Sequence, residues 1–362
     1  MKKTLLTICL VWMCFSLSAQ KIIDLSGKWS FSIDRQDNGE KEKWFSHTLN
    51  DFINLPGSMP EKLKGDEVTA KTQWTGSLYD SSYYYNPYME KYRKEGNIKF
   101  PFFLTPDKHY VGAAWYQKEV NIPADWKGER ILLFLERPHI ETTVWVNGQK
   151  TGMQNSLCVP HQYDITRYVR PGKCTITIRV DNRIKEINVG PDSHSITDQT
   201  QGNWNGIVGR ICLQTTPKTY FDDIQIYPEP EQKLARVKVV IKGTGTAKVK
   251  LSAESFNTDK KHIVPAIQQE IKLNKGVTET EMVLPMGNDM LLWDEFHPAL
   301  YKLKAEVTNG KKTEIKEIQF GMRRFEIKGK WFYVNGRKTQ LRGTVENCDF
   351  PLTGYAPMDV ES

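Results

Sequence analysis

Residues 198–204 read Asp-Gln-Thr-Gln-Gly-Asn-Trp, which places a carboxylate, three amides and an indole on one polar loop. That set suits a sugar. Hydroxyls need both acceptors and donors, which Asp198 and Asn203 offer, and the C–H face of a pyranose stacks on a ring such as Trp204. The other reading is a loop whose aspartate caps a turn and whose tryptophan packs in a core. Ten Trp and fifteen Tyr fit either reading, because aromatic residues also favour strands. His139, His161 and His194 lack ligand spacing and are expected on loops or at the surface. Neither a metal nor another cofactor is expected.

The elements that must carry this loop are strands. Trp29, Phe31 and Ile33 alternate after a Ser26-Gly27 turn, as in a half-buried strand, and Ile53–Leu55 is another before Pro56-Gly57. From Ala114 the pattern is regular. Ala114–Val120 is a strand, Pro123–Gly128 a turn, and Arg130–Glu136 an apolar run buried on both faces. Thr142–Val146 runs into Asn147-Gly148, a strong hairpin signal. Asp164–Val169 is a short helical turn or an extended link, and Pro171-Gly172 leads into a strand over Cys174–Val180. Strands at this spacing predict an all-β sandwich. Residues 65–107 are irregular and rich in tyrosine, which marks either a functional long loop or a surface insertion.

A second module begins near Tyr220. Ile224 and Ile226, then Val237, Val239 and Ile241, then Ala247, Val249 and Leu251 alternate, with further runs at Val277–Leu284 and Leu300–Val307. About seven short strands in roughly a hundred residues is the rhythm of an immunoglobulin-like sandwich. Trp331–Gly336 then gives a hairpin signal, and Gln340–Gly343 a short strand. Asp359 resembles a helix N-cap.

Composition narrows the function classes. The formal charge is +7, with Lys/Arg and Asp/Glu interspersed as in Lys41-Glu42-Lys43. Nucleic-acid binding needs a concentrated basic face, so it is not expected. Lys2-Lys3, the apolar run Leu5–Leu17 and the small pair Ser18-Ala19 form a secretory signal, with cleavage after Ala19 and export to the periplasm or the extracellular space. That run is shorter than the ~20 residues a membrane span needs, and no other segment could span. Beyond the signal only Cys158, Cys174, Cys212 and Cys348 remain, too sparse for a disulfide scaffold. Cys174 shares strand parity with Ile176, Ile178 and Val180 and reads as a small core residue.

Taken in order, Gly112–Lys118, Ile122–Gly128, Val144–Gly148, Tyr163–Thr166, Arg179–Asn182 and Trp204–Arg210 resemble the signature of the sugar-binding jelly roll of family 2 glycoside hydrolases. Leu292-Trp293, His297–Tyr301 and Phe320–Arg323 are similar to the end of that family's immunoglobulin-like linker, and Leu341–Thr344 to the opening strand of its (β/α)₈ barrel. The resemblance implies an all-β fold: a signal peptide over 1–19, a jelly roll over 20–219, an immunoglobulin-like sandwich over 220–325 and the start of a barrel over 326–362. It also implies retaining exo-β-glycosidase chemistry of a β-galactosidase-like kind on a carbohydrate partner. In the family the 198–204 loop reaches the barrel mouth and touches sugar.

Retaining hydrolysis needs two carboxyl groups about 5–5.5 Å apart. In the family both are glutamates on later barrel strands, the acid/base following an Asn, and this sequence has no Asn-Glu pair. The catalytic pair is therefore expected beyond residue 362, the chain alone is expected to be inactive, and residues 326–362 are expected to be disordered or to expose Trp331, Phe332 and Tyr333. Arg342, Asn347 and Asp349 follow or end the first barrel strand, where barrel enzymes line their sites. Arg342 also reads as an ion-pair partner, and Glu346 is wrongly placed for a catalytic acid. Where the family's β-galactosidases carry a histidine-rich stretch, this chain reads Val345-Glu-Asn-Cys-Asp-Phe350. The alternative to a glycosidase is a stand-alone carbohydrate-binding sandwich.

Overall fold

The computed structural model describes residues 21–75, 82–99, 106–157, 159–185, 202–345, 350 and 352–359. The signal segment, His194, Asp198, Asn347, Asp349, Cys158 and Cys348 lie outside the described residues. The described chain divides into two compact units, one of residues 21–216 together with the segment from Arg342, the other Pro217–Leu341.

The first unit is a two-sheet sandwich of β1 Ile22–Asp24, β2 Gly27–Asp34, β3 Asp51–Leu55, β4 Gly57–Ser58, β5 Asp66–Glu67, β6 Lys108–His109, β7 Ala113–Ile122, β8 Arg130–His139, β9 Glu141–Val146, β10 Gln149–Asn155, β11 His161–Asp164, β12 Gly172–Asp181 and β13 Gly206–Thr216. One sheet runs β1-β13-β8-β11 with β4 on β13, the other β10-β9-β12-β7-β2-β3, while β5 and β6 pair by themselves. Period-two patterning explains the packing: Trp29, Phe31, Tyr116, Ile176 and Ile178 turn into the core, where they meet Leu133, Leu135, Ile211 and Leu213. Trp115, of opposite parity, joins Leu49 and Trp145 in a smaller apolar cluster. Its indole N–H donates to Asp34, 2.9 Å away. Asn147 and Gly148 adopt φ of 50° and 77°, the left-handed pair that a two-residue hairpin requires. Cys174 is buried as expected, and burial pushes its thiol up to about 11.

Three expectations are corrected here. His139 and His161 are not surface residues: they lie in β8 and β11, 6% and 0% exposed. His139 lies against the Trp204 ring and His161 within 2.6 Å of the Thr142 hydroxyl, placements that a lone histidine does not signal in sequence. The tyrosine-rich insertion is partly built. It carries a short helix, Ser82–Tyr85, and a 3₁₀ turn, Pro87–Tyr92, capped by Asn86 accepting from the Tyr88 N–H. Tyr83 is buried and donates to the Tyr92 carbonyl at 2.9 Å. Finally, Gln340–Gly343 forms no strand. A strand of a parallel barrel needs flanking strands to satisfy its backbone, and none of the described residues pairs with it.

The second unit contains β14 Tyr220–Glu229, β15 Leu234–Phe256, β16 Ile263–Pro285, β17 Leu300–Asn309 and β18 Lys312–Phe320. Instead of about seven short strands it has two of 23 residues each. The register of β15 on β16 slips between Gly243 and Gly245. The first half of β15 pairs with β14 and the second half with β17, so the long hairpin joins the strands of this unit into one five-stranded antiparallel sheet. Its core is apolar throughout, from Val237, Val239 and Ile241 to Leu251, Leu303 and Val307. β19 Phe325–Lys328, β20 Trp331–Val334 and β21 Arg337–Thr339 follow as an antiparallel meander. Trp331 is exposed as expected, whereas Phe332 and Tyr333 are half-buried. No helix among the described residues is long and apolar enough to cross a membrane.

Candidate functional site

Three asparagines tie together the ends of β12 and β13, the strands that flank residues 198–204 in the sequence. Asn182, just after β12, donates to the Tyr110 carbonyl at 2.8 Å and accepts from the Gly112 N–H at 2.8 Å. Asn205, just before β13, donates to the carbonyls of Gly112 and Val180 at 2.9 and 3.0 Å and accepts from the Tyr116 hydroxyl at 2.8 Å. Asn203 donates to the Asn182 carbonyl and to Thr75 Oγ1, both at 3.0 Å. All three are buried, so each bond replaces one that water can no longer supply. Gly206 begins β13 because only glycine fits there: with φ of +151°, a Cβ would lie 2.4 Å from the Gly57 carbonyl oxygen.

The other stem of the loop is held by charge. Asp181 is 0% exposed and accepts from Arg179 at 2.9 Å and from the Arg183 backbone N–H at 3.0 Å. Lys185 reaches it at 2.8 Å. Burial by itself would raise the Asp181 carboxyl. The bonds from Arg183 and Lys185 outweigh that and hold it well below the usual carboxylate range. Arg179 also reaches Asp37 and Glu141, so the cluster is a connected network and not a single pair.

Trp204 is 2% exposed, with the rings of His139 and Tyr355 centred 4.5 and 5.5 Å from its own. Its indole therefore supports the loop from within. Burial pushes the His139 imidazole down to about 3, helped by the nearby Arg137 charge and opposed by the Asn203 side chain. Arg342 is exposed and makes no side-chain hydrogen bond or ion pair among the described residues. The structure thus brings Asn203 and Trp204 together, places Arg342 in the same unit, and leaves Asp198, Asn347 and Asp349 outside the described residues.

A polar cleft of about 470 Å³ opens beside these stems, lined among others by Asp34, Asp66, Thr72, Gln73, Gly112 and Arg183. That volume lies within the range of small-molecule sites. Asn182 and Asn205 fall within the motifs Arg179–Asn182 and Trp204–Arg210, but the sequence by itself assigns them no role. The signal available was an asparagine at each strand end, where a side-chain amide can satisfy both a backbone donor and a backbone carbonyl. No group of metal-ligating side chains occurs among the described residues.

Comparison with known proteins agrees with this architecture. Residues 22–217 match the family described as glycosyl hydrolases family 2, sugar binding domain, and residues 219–323 match glycosyl hydrolases family 2. A β-glucuronidase of Paenibacillus borealis is 24% identical over 355 residues, covering 92% of this chain and 51% of its own. A β-galactosidase of Thermoanaerobacter pseudethanolicus is 25% identical, covering 73% of this chain and 35% of its own. The solved β-glucuronidase of Ruminococcus gnavus with D-glucaro-d-lactam superposes with a TM-score of 0.62 at 19% identity, over 90% of this chain and 49% of the other, a likeness of fold. The chain spans about half the length of the first of these curated relatives. With a sugar-binding jelly roll and an immunoglobulin-like module matched in order over most of its length, the chain belongs to glycoside hydrolase family 2.

Proposed function

We propose that this chain is the non-catalytic front portion of an exported, retaining exo-β-glycosidase that removes a terminal β-linked hexose or hexuronic acid. The observation that carries the reading is the paired family match over 22–217 and 219–323, in relatives about twice as long that are named β-glucuronidase or β-galactosidase. In this reading Asp198 presents an acceptor to sugar hydroxyls, and the buried Asn203 and Trp204 hold the loop behind it. Arg342, Asn347 and Asp349 face the same sugar from the start of the barrel, and the polar cleft gives a chain of hydroxyls room to continue. The two carboxyl groups that cleave the bond belong to later barrel strands. Lys2-Lys3 with Leu5–Leu17 and Ser18-Ala19 would direct export.

The test is a turnover assay with aryl β-glucuronides, β-galactosides and β-mannosides, on the purified chain and on the same chain extended by a family 2 barrel. Activity only in the extended protein supports the reading. Hydrolysis by the chain alone, or none by the extended protein on any substrate, overturns it. The better aryl glycoside identifies the sugar.

A further inference from the structure

Residues 353–355 return to the sandwich and close on Trp204. The Thr353 carbonyl accepts from the Ser58 hydroxyl, and the Tyr355 hydroxyl donates to Glu61 Oε2 at 2.6 Å. Thr353 Oγ1 in turn donates to the Tyr355 carbonyl at 2.8 Å, and the Gly354 N–H to the Phe350 carbonyl at 2.6 Å, so the segment is also folded on itself. Gly354 lies over the indole with φ of +82°, and a Cβ there would fall 2.5 Å from Trp204 Cδ1. A side chain would be strained by the backbone and would collide with a buried ring at the same position.

The receiving face is not independent of the site. Ser58 pairs with Gly206 in β13, and the Met59 N–H donates to the Asn205 carbonyl at 2.7 Å. Asn203 and Trp204 immediately precede that point. Whatever holds Tyr355 against Glu61 and Trp204 therefore also bears on the stem that carries Asn203. Hydrogen bonds at Ser58 and Glu61 fix the segment from one side, and the aromatic contact fixes it from another.

We propose that Thr353–Tyr355 is a positioning latch: with Ser58 and Glu61 as its polar catch and Trp204 as its apolar seat, it holds the Asn203–Asn205 stem in place. Tyr355 acts through Trp204 and does not touch the ligand. The consequence for sugar binding rests on the function proposed above, whereas the latch itself does not.

The test is hydrogen exchange by mass spectrometry on the whole chain, comparing wild type with Tyr355→Ala, Tyr355→Phe and Gly354→Ala. Peptides from β12 serve as the internal control for global unfolding. In Tyr355→Ala, exchange should rise about tenfold in peptides covering both 350–359 and 202–208, since one hydrogen bond and one aromatic contact are lost. Tyr355→Phe keeps the ring and should recover most of the protection at 202–208. If Gly354→Ala fails to fold, the two Tyr355 variants still decide. Unchanged exchange at 202–208 in Tyr355→Ala overturns the latch, whether or not 350–359 opens. Methyl β-glucuronide and methyl β-galactoside, titrated against the same variants, read the functional half. Weaker binding in Tyr355→Ala with recovery in Tyr355→Phe supports positioning, and unchanged affinity in a chain that binds overturns it. Should the wild-type chain bind neither glycoside, the sugar reading of this site fails while the exchange result still settles the latch.

Discussion

The two units solve the same packing problem with different interiors. Among the described residues, the immunoglobulin-like unit buries only Thr219, Thr278 and Glu314 as polar or charged side chains, around a core of Val, Ile, Leu and Ala. The jelly roll buries Asp34, Arg179, Asp181, Asn182, Asn203, Asn205, His139 and His161, among others. Burying polar groups lowers stability unless every one is satisfied, so a sandwich that needed only to fold would use the first design. The second design fixes where chain segments end. Its asparagines and its carboxylate cluster sit at the stems of the loop proposed to meet sugar, where position matters more than burial energy. The spacer module has no such segment to aim.

The contrast is broken most severely at Asp181. Asp181→Ala leaves Arg179, Arg183 and Lys185 without their shared partner and is expected to destabilise the jelly roll by about 3–5 kcal/mol. Leu251→Ala, the matching change in the apolar core, is expected to destabilise its own unit by about 2–5 kcal/mol. Unit-resolved hydrogen exchange, comparing peptides of β12 with peptides of β15, separates the two. If Asp181→Ala loosens β15 as much as β12, the interiors are not independent.

Acid should sharpen the comparison next. The His139 pKa is lowered from its ordinary 6.5 to about 3 in the folded state. The unfolded chain therefore takes up a proton that the folded chain refuses. His139 is not destabilising above pH 6.5, and stability is lost as pH falls from there towards 3, with a slope of up to about 1.4 kcal/mol per pH unit. Asp181, held below its ordinary 3.8, adds a loss of the same sign at still lower pH. Urea titrations at pH 7, 6, 5 and 4 on wild type and His139→Asn read the effect. The variant should flatten the slope for the jelly roll, and the immunoglobulin-like unit should not respond to the substitution. An unchanged slope would remove His139 from the account.

Glu61 offers a smaller, local version. Burial would raise its carboxyl, but bonds from Lys62 and Tyr355 prevail and hold it below the ordinary glutamate value of 4.5. The Tyr355 catch is therefore present above that pH and weakens below it, and exchange at 350–359 should quicken in that acid window before β12 opens. The smallest effect belongs to the surface of the spacer. Lys238, which pairs with Glu279 at 2.5 Å, is solvent-exposed enough that Lys238→Ala should leave the unfolding midpoint of its unit unchanged within error. A clear drop would mean that surface pairs, and not the apolar core, stabilise that module.

Much of this chain was legible one residue at a time. Alternation placed Trp29, Phe31, Cys174 and Ile178 in the core, and Asn147-Gly148 and Asn335-Gly336 marked hairpins whose φ values are positive at both residues. The motifs from Gly112 to Arg210 also carried the resemblance to the family that the match over residues 22–217 shows, while strands and turns were legible because strand period and turn chemistry are local properties written into neighbouring residues. Other features were decided only by the tertiary structure. The burial of His139 and His161, the asparagine bonds that join residues 75, 110–112, 180–182 and 203–205, the long hairpin that pairs with both β14 and β17, and the closure of Tyr355 on Glu61 across 294 positions all depend on which surfaces meet. A hydrogen bond between residues far apart in the chain leaves no periodicity in either segment. The sequence alone could therefore say which residues form strands and turns, and only the folded chain could say which distant side chains hold the loop.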